Sequence, residues 1–453
     1  MNRKDLENLL PALEDFHARF GRYFVRSEAR EWAHKYLIGL TMPIERKNIE
    51  NIAEQVGAST RVLQKFVTTS PWDDDGCIDE LQRFVGEEIG TRSGVLVLDD
   101  TGFAKKGRCS AGVGRQYSGT LGRTDNCQIG VFLSYASEKG HTLVDRRLYM
   151  KEDWFGAGAR ARRERAGIPK GSVFMTKNEL GDEMLRAAHQ AGHLPFRWVT
   201  GDAAYGDHHD LRDLVEELGK LYCLEVSSDT NVWTSDPHWK VALRRGATGR
   251  PATVPRPTRS SPASTTAAEV AAQLAPRDWI RHRVTEGEKG PREYEFARLR
   301  VVEKRHGRPG PETWLMLRRA IGAGPDEVKY YVSNAPASMT LADMAWVGCL
   351  RWTIEENFEL GKGEVGLDHY EVTVYQGWYH HITLSLLALA FLKSTQWRWG
   401  KKRRRRNRSG NPVPAWRRPS TPPVDPVRSY RVVRAPATSQ GRGARMPSST
   451  MAS

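Results

Sequence analysis

The order of strands and helices in one stretch of the chain constrains its fold most. Between residues 91 and 227, apolar runs with strand character occur five times, and amphipathic helical patterns separate the last three of them. A chain of this order predicts an α/β fold, in which helices cover the faces of a mixed sheet. In chain order the predicted elements are strands at 95–100, 126–137 and 141–150, a helix at 178–192, a strand at 196–206, a helix at 208–220 and a strand at 221–226.

The region before this sheet, residues 1–90, has apolar side chains at helical spacing throughout. Within it, the segment 48–67 predicts two helices separated by a turn at Gly57. That is the arrangement of a helix-turn-helix, in which Arg61, Gln64 and Lys65 of the second helix face a DNA groove. Helical bundles that do not bind DNA contain the same turn, so both interpretations stay open.

The region after residue 227 differs in composition. A loop rich in Pro, Thr, Ser and Arg is predicted at 246–268, and alternating apolar runs at 279–319 and 329–334 predict antiparallel strands. Two helical patterns follow. The predicted divisions are an N-terminal helical, DNA-binding domain at 1–90, a catalytic core at 91–227 and 339–396, a β-rich insertion at 228–338, and a basic tail at 397–453.

The positive charge of the chain is concentrated at its C-terminal end. Residues 398–453 contain fifteen Lys and Arg but one acid, Asp425, a net charge of +14 out of +15 for all 453 residues. A segment of this composition, also rich in Pro, Ser and Gly, is typical of disorder. It either binds nucleic acid through phosphate contacts or is a solubilising extension.

The cysteines and the apolar runs exclude several classes of protein. The five cysteines are scattered and never form a C-x-x-C pair, which predicts neither a disulfide framework nor a zinc site. The longest largely apolar run, 382–392, is eleven residues long and therefore too short to span a membrane. We expect a cytoplasmic protein without a membrane partner.

Acidic residues stand at three informative places. Asp99 or Asp100 closes the first predicted strand, Asp202 closes the strand at 196–206, and Glu355 lies on a helix after the β-rich region. Because strand ends at one edge of a sheet are neighbours, these carboxylates can converge. Carboxylates without His or Cys are the ligands that Mg²⁺ or Mn²⁺ prefers. Acids after strands also serve as helix caps, so this interpretation stays open for each of them.

The helix that carries Glu355 also carries two cations on the same stripe. Arg351, Glu355 and Lys362 fall within an arc of ~40°, because a helix advances ~100° per residue. Such a stripe suits a site that binds a metal ion and a polyanion together. A solvated face with an ordinary Arg–Glu pair would have the same spacing.

The chain resembles insertion-sequence transposases of the DDE class, whose catalytic core has the ribonuclease H-like fold. Its similarity lies in LDDTGFAKKG, GDAAYG and RWTIEENFELGK, and in the spacing of a Tyr-Arg-Glu-Lys pattern on the last of these segments. Arg351, Glu355 and Lys362 match that pattern, whereas Gly348 stands at the Tyr position.

The resemblance implies a set of roles. Asp99, Asp202 and Glu355 would be catalytic and would hold Mg²⁺ or Mn²⁺, as two ions, with Asp100 as the alternative to Asp99. The predicted phosphate-binding residues are Arg351, Lys362, Lys105 and Lys106. The implied partners are double-stranded DNA, as transposon terminal inverted repeats and target DNA, and a second copy in a homodimer on the bacterial nucleoid. An inactive DNA-binding regulator and a nuclease without strand transfer are the alternatives.

Overall fold

The structure, a computed structural model, describes residues 9–119, 122–241, 253–287, 290–324 and 327–407. It is a mixed α/β structure, so the predicted α/β class is confirmed. Across these residues no helix combines the length and the apolar character that crossing a membrane requires.

The first sheet is built around a central strand that is buried on both faces. This strand, β1, pairs antiparallel with β3 and parallel with β5, and the sheet runs β3–β1–β5–β6 with both β2 and β4 on the far edge of β3. Its four leading residues, Val95 to Leu98, are fully buried, as expected for a strand covered on both sides. The strands are β1 (Val95–Ala104), β2 (Gly114–Ser118), β3 (Arg123–Ser137), β4 (Gly140–Tyr149), β5 (Trp198–Gly201) and β6 (Leu221–Tyr222).

The sequence pattern predicts that strand β1 ends at its acids, at residue 100, but the strand is longer. It continues to Ala104 because β3 keeps pairing with it, from Asp99 opposite Phe132 to Ala104 opposite Cys127. The strand that ends there is β5, whose last residue, Gly201, lies opposite Leu98. Asp99 is therefore beside the end of β5 rather than at the end of its own strand.

Helices cover both faces of this sheet, fill the N-terminal region and accompany the strands that follow. They are α1 (Leu9–Ala18), α2 (Ser27–Thr41), α3 (Ile49–Gln55), α4 (Thr60–Thr68), α5 (Asp74–Ile89), α6 (Arg160–Ala166), α7 (Lys177–Ala191), α8 (Ala203–Gly206), α9 (His209–Glu217), α10 (Ala267–Ala272), α11 (Leu341–Cys349), α12 (Trp352–Val365) and α13 (Tyr375–Asn407).

Helix α13 joins the N-terminal helices to the sheet. It packs against α2, α4 and α5 on one side and against β4 and α12 on the other. Two consecutive buried histidines make specific contacts across this junction. His380 stacks on Trp72 with ring centroids 4.0 Å apart, and the Tyr36 hydroxyl lies 2.9 Å from Nδ1 of His381. One hydrophobic core therefore runs from Leu13 in α1 to Phe391 in α13.

A second sheet follows the first in sequence and is antiparallel. It runs β11–β8–β13–β14–β15–β7, and β12 also pairs with β13. Its strands, with those of a separate β9–β10 pair, are β7 (Leu224–Val226), β8 (Asn231–Trp233), β9 (Trp239–Val241), β10 (Pro255–Pro257), β11 (Thr265–Thr266), β12 (Ile280–Gly287), β13 (Gly290–Arg305), β14 (Arg308–Ala320) and β15 (Lys329–Ser333).

The two sheets share one short stretch of chain. The segment 221–226, predicted as one strand, divides at Cys223: Leu221 and Tyr222 pair with β5 of the first sheet, whereas Leu224 to Val226 pair with β15 of the second. The tip of the β13–β14 hairpin reinforces this junction. Arg305 donates to Asp213 and Glu216 of α9 at 2.6 and 2.8 Å, which fixes the second sheet against the first.

Two other expectations need correction or lie outside the described residues. The predicted loop at 246–268 contains β10 and β11 and leads into α10, while its residues 246–252 lie outside the described part of the chain. Helix α13 continues through the basic run 401–406 to Asn407, so the first part of the predicted tail, 397–407, is helical. The rest of the predicted tail, 408–453, lies outside the described residues.

Candidate active site

The two neighbouring acids of β1 face opposite sides of the sheet, because side chains alternate along a strand. Asp100 faces α7, where both of its carboxylate oxygens lie 3.0 Å from Nζ of Lys177. Asp99 faces α12 together with Thr101, whose hydroxyl accepts a hydrogen bond from Lys362 at 2.8 Å. The strand phase thus places Asp99 on the side of the helix that carries Arg351, Glu355 and Lys362.

Asp202 follows β5 directly and caps the short helix α8. Its Oδ1 accepts hydrogen bonds from the backbone N–H groups of Ala204 and Tyr205 at 3.0 and 3.4 Å, as an N-cap side chain does. The last residue of the GDAAYG segment, Gly206, has a steric role. A Cβ there would lie 1.7 Å from the carbonyl oxygen of Glu225, so this turn can pack against β7 only without a side chain.

Arg351 connects carboxylates from three parts of the fold. Its Nη2 lies 2.6 Å from Glu355, and its Nη1 lies 3.4 Å from Asp99. Its Nε lies 3.8 Å from Glu225 of β7, in the second sheet. The Arg351 side chain is 25 % exposed and that of Glu355 is 55 % exposed, so this cluster opens to solvent on the Glu355 side.

The helix predicted through residues 344–358 consists of two helices that meet at Leu350 and Arg351. The backbone N–H and the hydroxyl of Thr353 both donate to the Leu350 carbonyl, at 2.9 and 2.6 Å, and this local pairing replaces the regular helical bonds there. Past the break, α12 runs to Val365 without ending at Gly361. Lys362 therefore lies on the same helix as Glu355, as the charge stripe predicts.

Burial and mutual repulsion disfavour the charged forms of Asp99 and Asp202. Burial raises the pKa of Asp99 to about 8, the charge of Asp202 adds to the rise, and the Arg351 guanidinium opposes it. Burial also raises the pKa of Asp202, again against the influence of Arg351. The carboxylates in turn hold the pKa of Arg351 above its usual value although burial lowers it. A cation held between these acids would relieve their repulsion.

The remaining predicted phosphate-binding residues differ in their accessibility. Lys362 is partly buried, which lowers its pKa, and its ammonium group contacts Thr101 and Gly102. Lys105 donates to the carbonyl of Tyr370 at 2.9 Å, and burial lowers its pKa to about 8. Lys106 is exposed. Of these three ammonium groups, that of Lys106 is the most accessible to DNA.

A polar cavity of about 190 Å³ adjoins the cluster, between α12 and the second sheet. Arg318, Tyr331, Glu225 and Arg351 are among its lining residues. The Gly348 position lies at its wall, where a Cβ would be 3.1 Å from Met316 and 3.3 Å from the Tyr331 ring. The Tyr331 ring thus occupies space into which a tyrosine at position 348 would have to extend.

Two residues that pair with the charged side chains described above, Glu225 and Lys177, escape sequence reasoning. Glu225 lies inside an apolar run, where a single polar residue is expected to face away from the core of a strand. Nothing in the sequence shows that the run is divided between two sheets. Lys177 precedes a helix, and its pairing with Asp100 depends on how α7 packs. The sequence signal for Glu225 is a charge in the middle of a buried strand, since such a charge requires a partner.

The three predicted metal-binding acids do not all lie within coordination distance of one another. Among the described residues, the group of three ligating side chains whose atoms all lie within 4.8 Å of one another is Asp210, Asp213 and His306, on the surface of the α9 junction. Asp99, Asp202 and Glu355 are spaced more widely, and Arg351 lies between two of them. Their chemistry nevertheless fits Mg²⁺ or Mn²⁺, because all three offer hard oxygen donors.

The helix pair considered for DNA binding has the predicted turn. Helices α3 and α4 are separated by Val56 to Ser59, with Gly57 in the left-handed region at φ +64°. Helix α4 buries Leu63, Phe66 and Val67. Its opposite face is exposed and carries Arg61, Gln64 and Lys65.

Comparison with known proteins identifies the family. The family described as DDE superfamily endonuclease matches residues 15–291, more than half of the chain, a range that includes Asp99 and Asp202 and ends before Glu355. A curated relative, "Probable transposase for insertion sequence element IS701" of Microchaete diplosiphon, is 28 % identical over 200 residues, 44 % of this chain. The chain spans about half (49 %) of the length of that relative. The resemblance found in the sequence is confirmed, and the chain belongs to the DDE superfamily endonucleases.

Proposed function

We propose that the protein is a DNA transposase that binds transposon ends and carries out metal-dependent phosphodiester cleavage and strand transfer. The observation that carries this proposal is the meeting of Asp99, Arg351 and Glu355 beside the end of β5, where Asp202 begins α8. These residues come from separate parts of the sequence. Their arrangement therefore depends on the fold, whereas a single surface helix would bring together only Arg351 and Glu355.

The order of the first sheet supports a ribonuclease H-like core. Three antiparallel strands, β4, β3 and β1, are followed across the sheet by the parallel strands β5 and β6. In this arrangement the first acid lies on the central strand and the second follows the neighbouring parallel strand. The second sheet is the β-rich insertion of the proposal, placed between Asp202 and Glu355 in the sequence.

In the proposed site, Asp99, Asp202 and Glu355 would hold Mg²⁺ or Mn²⁺, as two ions. Bound there, the ions would activate a water molecule or a 3′-hydroxyl as the nucleophile and would stabilise the leaving oxygen of the phosphodiester. Arg351 would contact the phosphate with its planar fork, and Lys362 would add a point charge deeper in the site. Lys105 and Lys106, just past β1, would contact flanking phosphates.

The DNA partners follow from the same proposal. The exposed face of α4 would contact duplex DNA at a transposon end, and target DNA would enter at the open Glu355 side of the site. Since one chain has one such site and a transposon has two ends, a homodimer would form on the DNA.

The test separates binding from chemistry. Asp202→Asn keeps the capping oxygen of α8, and Glu355→Gln keeps the shape of the exposed side chain, but each removes a charge from the metal site. We expect either change to reduce cleavage of a labelled duplex by more than about 100-fold, because metal-ion stabilisation contributes several kcal/mol to such reactions. Excess chelator should abolish cleavage in the wild type. Binding, followed by gel shift with the terminal sequence that flanks the gene, should persist.

Glu359→Gln is the matched control, because Glu359 is an exposed acid on the same helix, outside the proposed metal site. Intact cleavage in either site variant would exclude the assigned acids. Wild-type binding without cleavage would favour an inactive regulator, and cleavage without joining to target DNA would favour a simple nuclease.

A further inference from the structure

Glu225 is a buried carboxylate that the proposed chemistry leaves without a role. Its side chain is 10 % exposed, and its Oε1 lies 2.5 Å from Nζ of Lys329 on the neighbouring strand β15. Its other oxygen lies 3.8 Å from Nε of Arg351. The carbonyl oxygen of Glu225 packs against Gly206 in the turn that follows Asp202, so the backbone at this position is fixed relative to the proposed metal site.

The three carboxylates around Arg351 contact different atoms of its guanidinium. Glu355 and Asp99 contact the two terminal nitrogens, Nη2 and Nη1, whereas Glu225 contacts Nε. The two terminal nitrogens can bind two phosphate oxygens together. Glu225 therefore contacts Arg351 without occupying the two terminal nitrogens that would meet the phosphate.

The partners of Arg351 also differ in what happens to them when cations bind. Asp99 and Glu355 are proposed metal ligands, and a carboxylate that ligates a cation holds a neighbouring guanidinium less strongly. Glu225 belongs to the second sheet and is paired with Lys329, so it remains available to Arg351. Without it, the Arg351 charge would lie beside the cations with no carboxylate to balance it.

We propose that Glu225 is the positioning residue of Arg351: it holds Nε while Asp99 and Glu355 ligate metal, and so directs the two terminal nitrogens toward the phosphate. This inference rests on the proposed metal site. It makes the strand that joins the two sheets part of the DNA-binding apparatus, because the orientation of Arg351 depends on where β7 lies.

The test measures Mn²⁺ binding in the absence of DNA, by electron paramagnetic resonance of the free ion. Glu225→Gln keeps the size of the side chain and removes its charge. We expect its Mn²⁺ affinity to be about three- to tenfold weaker than that of the wild type, the effect of losing one half-buried ion pair. Single-turnover cleavage should fall with it, while Glu359→Gln should match the wild type in both measurements.

A double-mutant cycle with Arg351→Ala separates positioning from a general loss of negative charge. If Glu225 acts through Arg351, Glu225→Gln should not weaken Mn²⁺ binding further in the Arg351→Ala background. An undiminished effect in that background, or an unchanged Mn²⁺ affinity in the single variant, would overturn the proposal. Glu225→Asp provides a second variant if the Gln form does not fold. It retains the charge but withdraws it from Arg351, so its affinity should be intermediate.

The same titration separates this proposal from the proposed function. Asp202→Asn should bind Mn²⁺ more weakly than the wild type. If it binds with wild-type affinity, the metal site itself is wrongly assigned. If Asp202→Asn weakens binding and Glu225→Gln does not, only the role of Glu225 fails.

Discussion

Arg351 is surrounded by carboxylates from a strand of the first sheet, a strand of the second sheet and its own helix. Its contact with Glu355 alone is what two charges four residues apart on any helix can make. The contacts with Asp99 and Glu225 require the whole fold, and an ordinary surface pair would not make them.

At the scale of the single residue, we predict that Arg351→Lys damages catalysis more than folding. Lysine keeps the charge and most of the apolar stem, but it cannot contact three carboxylates or two phosphate oxygens from one planar group. We expect at least a tenfold loss of cleavage, roughly 1.4 kcal/mol in the barrier, and a small change in the thermal midpoint. Cleavage of a labelled transposon end and thermal unfolding would be measured on the same preparation.

Arg160→Lys is the matched control, because Arg160 pairs with Glu164 at the same spacing, 3.0 Å apart, on the exposed helix α6. Exposed pairs of this kind contribute about 0.3–0.5 kcal/mol. Near-normal cleavage by Arg351→Lys would mean that Arg351 is no more than such a pair.

At the scale of the element, helix α11 shows why the Tyr position of the family pattern holds a glycine. The space beside Gly348 contains the Tyr331 ring of β15 and the end of Met316 of β14. An aromatic ring therefore comes to this place from the second sheet and not from the helix.

We predict that Gly348→Ala is tolerated whereas Gly348→Tyr destabilises the fold. The new Cβ of alanine would lie 3.1 Å from the flexible end of Met316 and 3.3 Å from both Cys223 and Tyr331, so shifts of a few tenths of an ångström would accommodate it. Alanine also favours a helix over glycine by about 1 kcal/mol. A tyrosine side chain would collide with Tyr331, and overpacking of this kind costs about 1–3 kcal/mol or more. Urea unfolding would measure both variants.

The double variant Gly348→Tyr/Tyr331→Ala provides the check, because it removes the ring that blocks the site. It should recover part of the stability lost in Gly348→Tyr. If it does not, the collision with Tyr331 is not the cause.

Elements formed by local pattern can be predicted from the sequence, whereas features set by tertiary pairing cannot. The runs at 126–137 and 178–192 emerge as β3 and α7 within a few residues, because alternation and amphipathic spacing are properties of the segment itself. The continuation of β1 to Ala104 depends on its pairing with β3, and the pattern of β1 alone does not contain it. The division of 221–226 between two sheets is likewise hidden, because both halves of the segment are largely apolar.

In the candidate site, too, some features can be predicted from the local sequence and others depend on tertiary packing. The spacing of Glu355 and Lys362 is a property of one helix, so the sequence places these two residues on one element, whereas Arg351 caps that helix at a break that the pattern does not show. The choice between Asp99 and Asp100 depends on strand phase, and only the packing of α7 and α12 on opposite faces of the sheet shows which acid faces which helix.

At the scale of the whole molecule, helix α13 holds the N-terminal helices against the sheet through buried neutral histidines. Nδ1 of His380 donates to the carbonyl of Val67 at 2.9 Å, and Nε2 of His381 donates to that of Gly366 at 3.0 Å. Burial lowers the pKa of each to about 3, and Arg146 near His380 and Lys105 near His381 act in the same direction.

We predict that the protein loses stability in mild acid for this reason. Both folded-state pKa values lie below the unfolded value of 6.5, so the unfolded chain binds protons that the folded chain does not. The contribution of the two histidines to stability is full above pH ~6.5 and declines as the pH falls toward 3, by up to ~1.4 kcal/mol per pH unit for each. Urea unfolding at constant ionic strength between pH 7.5 and 5 would measure it.

His380→Gln is the informative variant, because glutamine has no proton to gain in this range. Unfolding of this variant below pH 6.5 should take up about one proton fewer than unfolding of the wild type, so its stability should depend less steeply on pH. An identical slope would show that His380 does not titrate on unfolding.

The shared segment 221–226 limits how this protein could be rebuilt. Because Leu221 and Tyr222 pair in the first sheet and Leu224 to Val226 pair in the second, the β-rich module cannot be exchanged for that of a relative by cutting at residues 227 and 339 alone. A chimaera would have to keep the native β7 with its partner β15, or import both together. Otherwise Tyr222 would keep its place in the first sheet while Glu225 lost the strand that holds it.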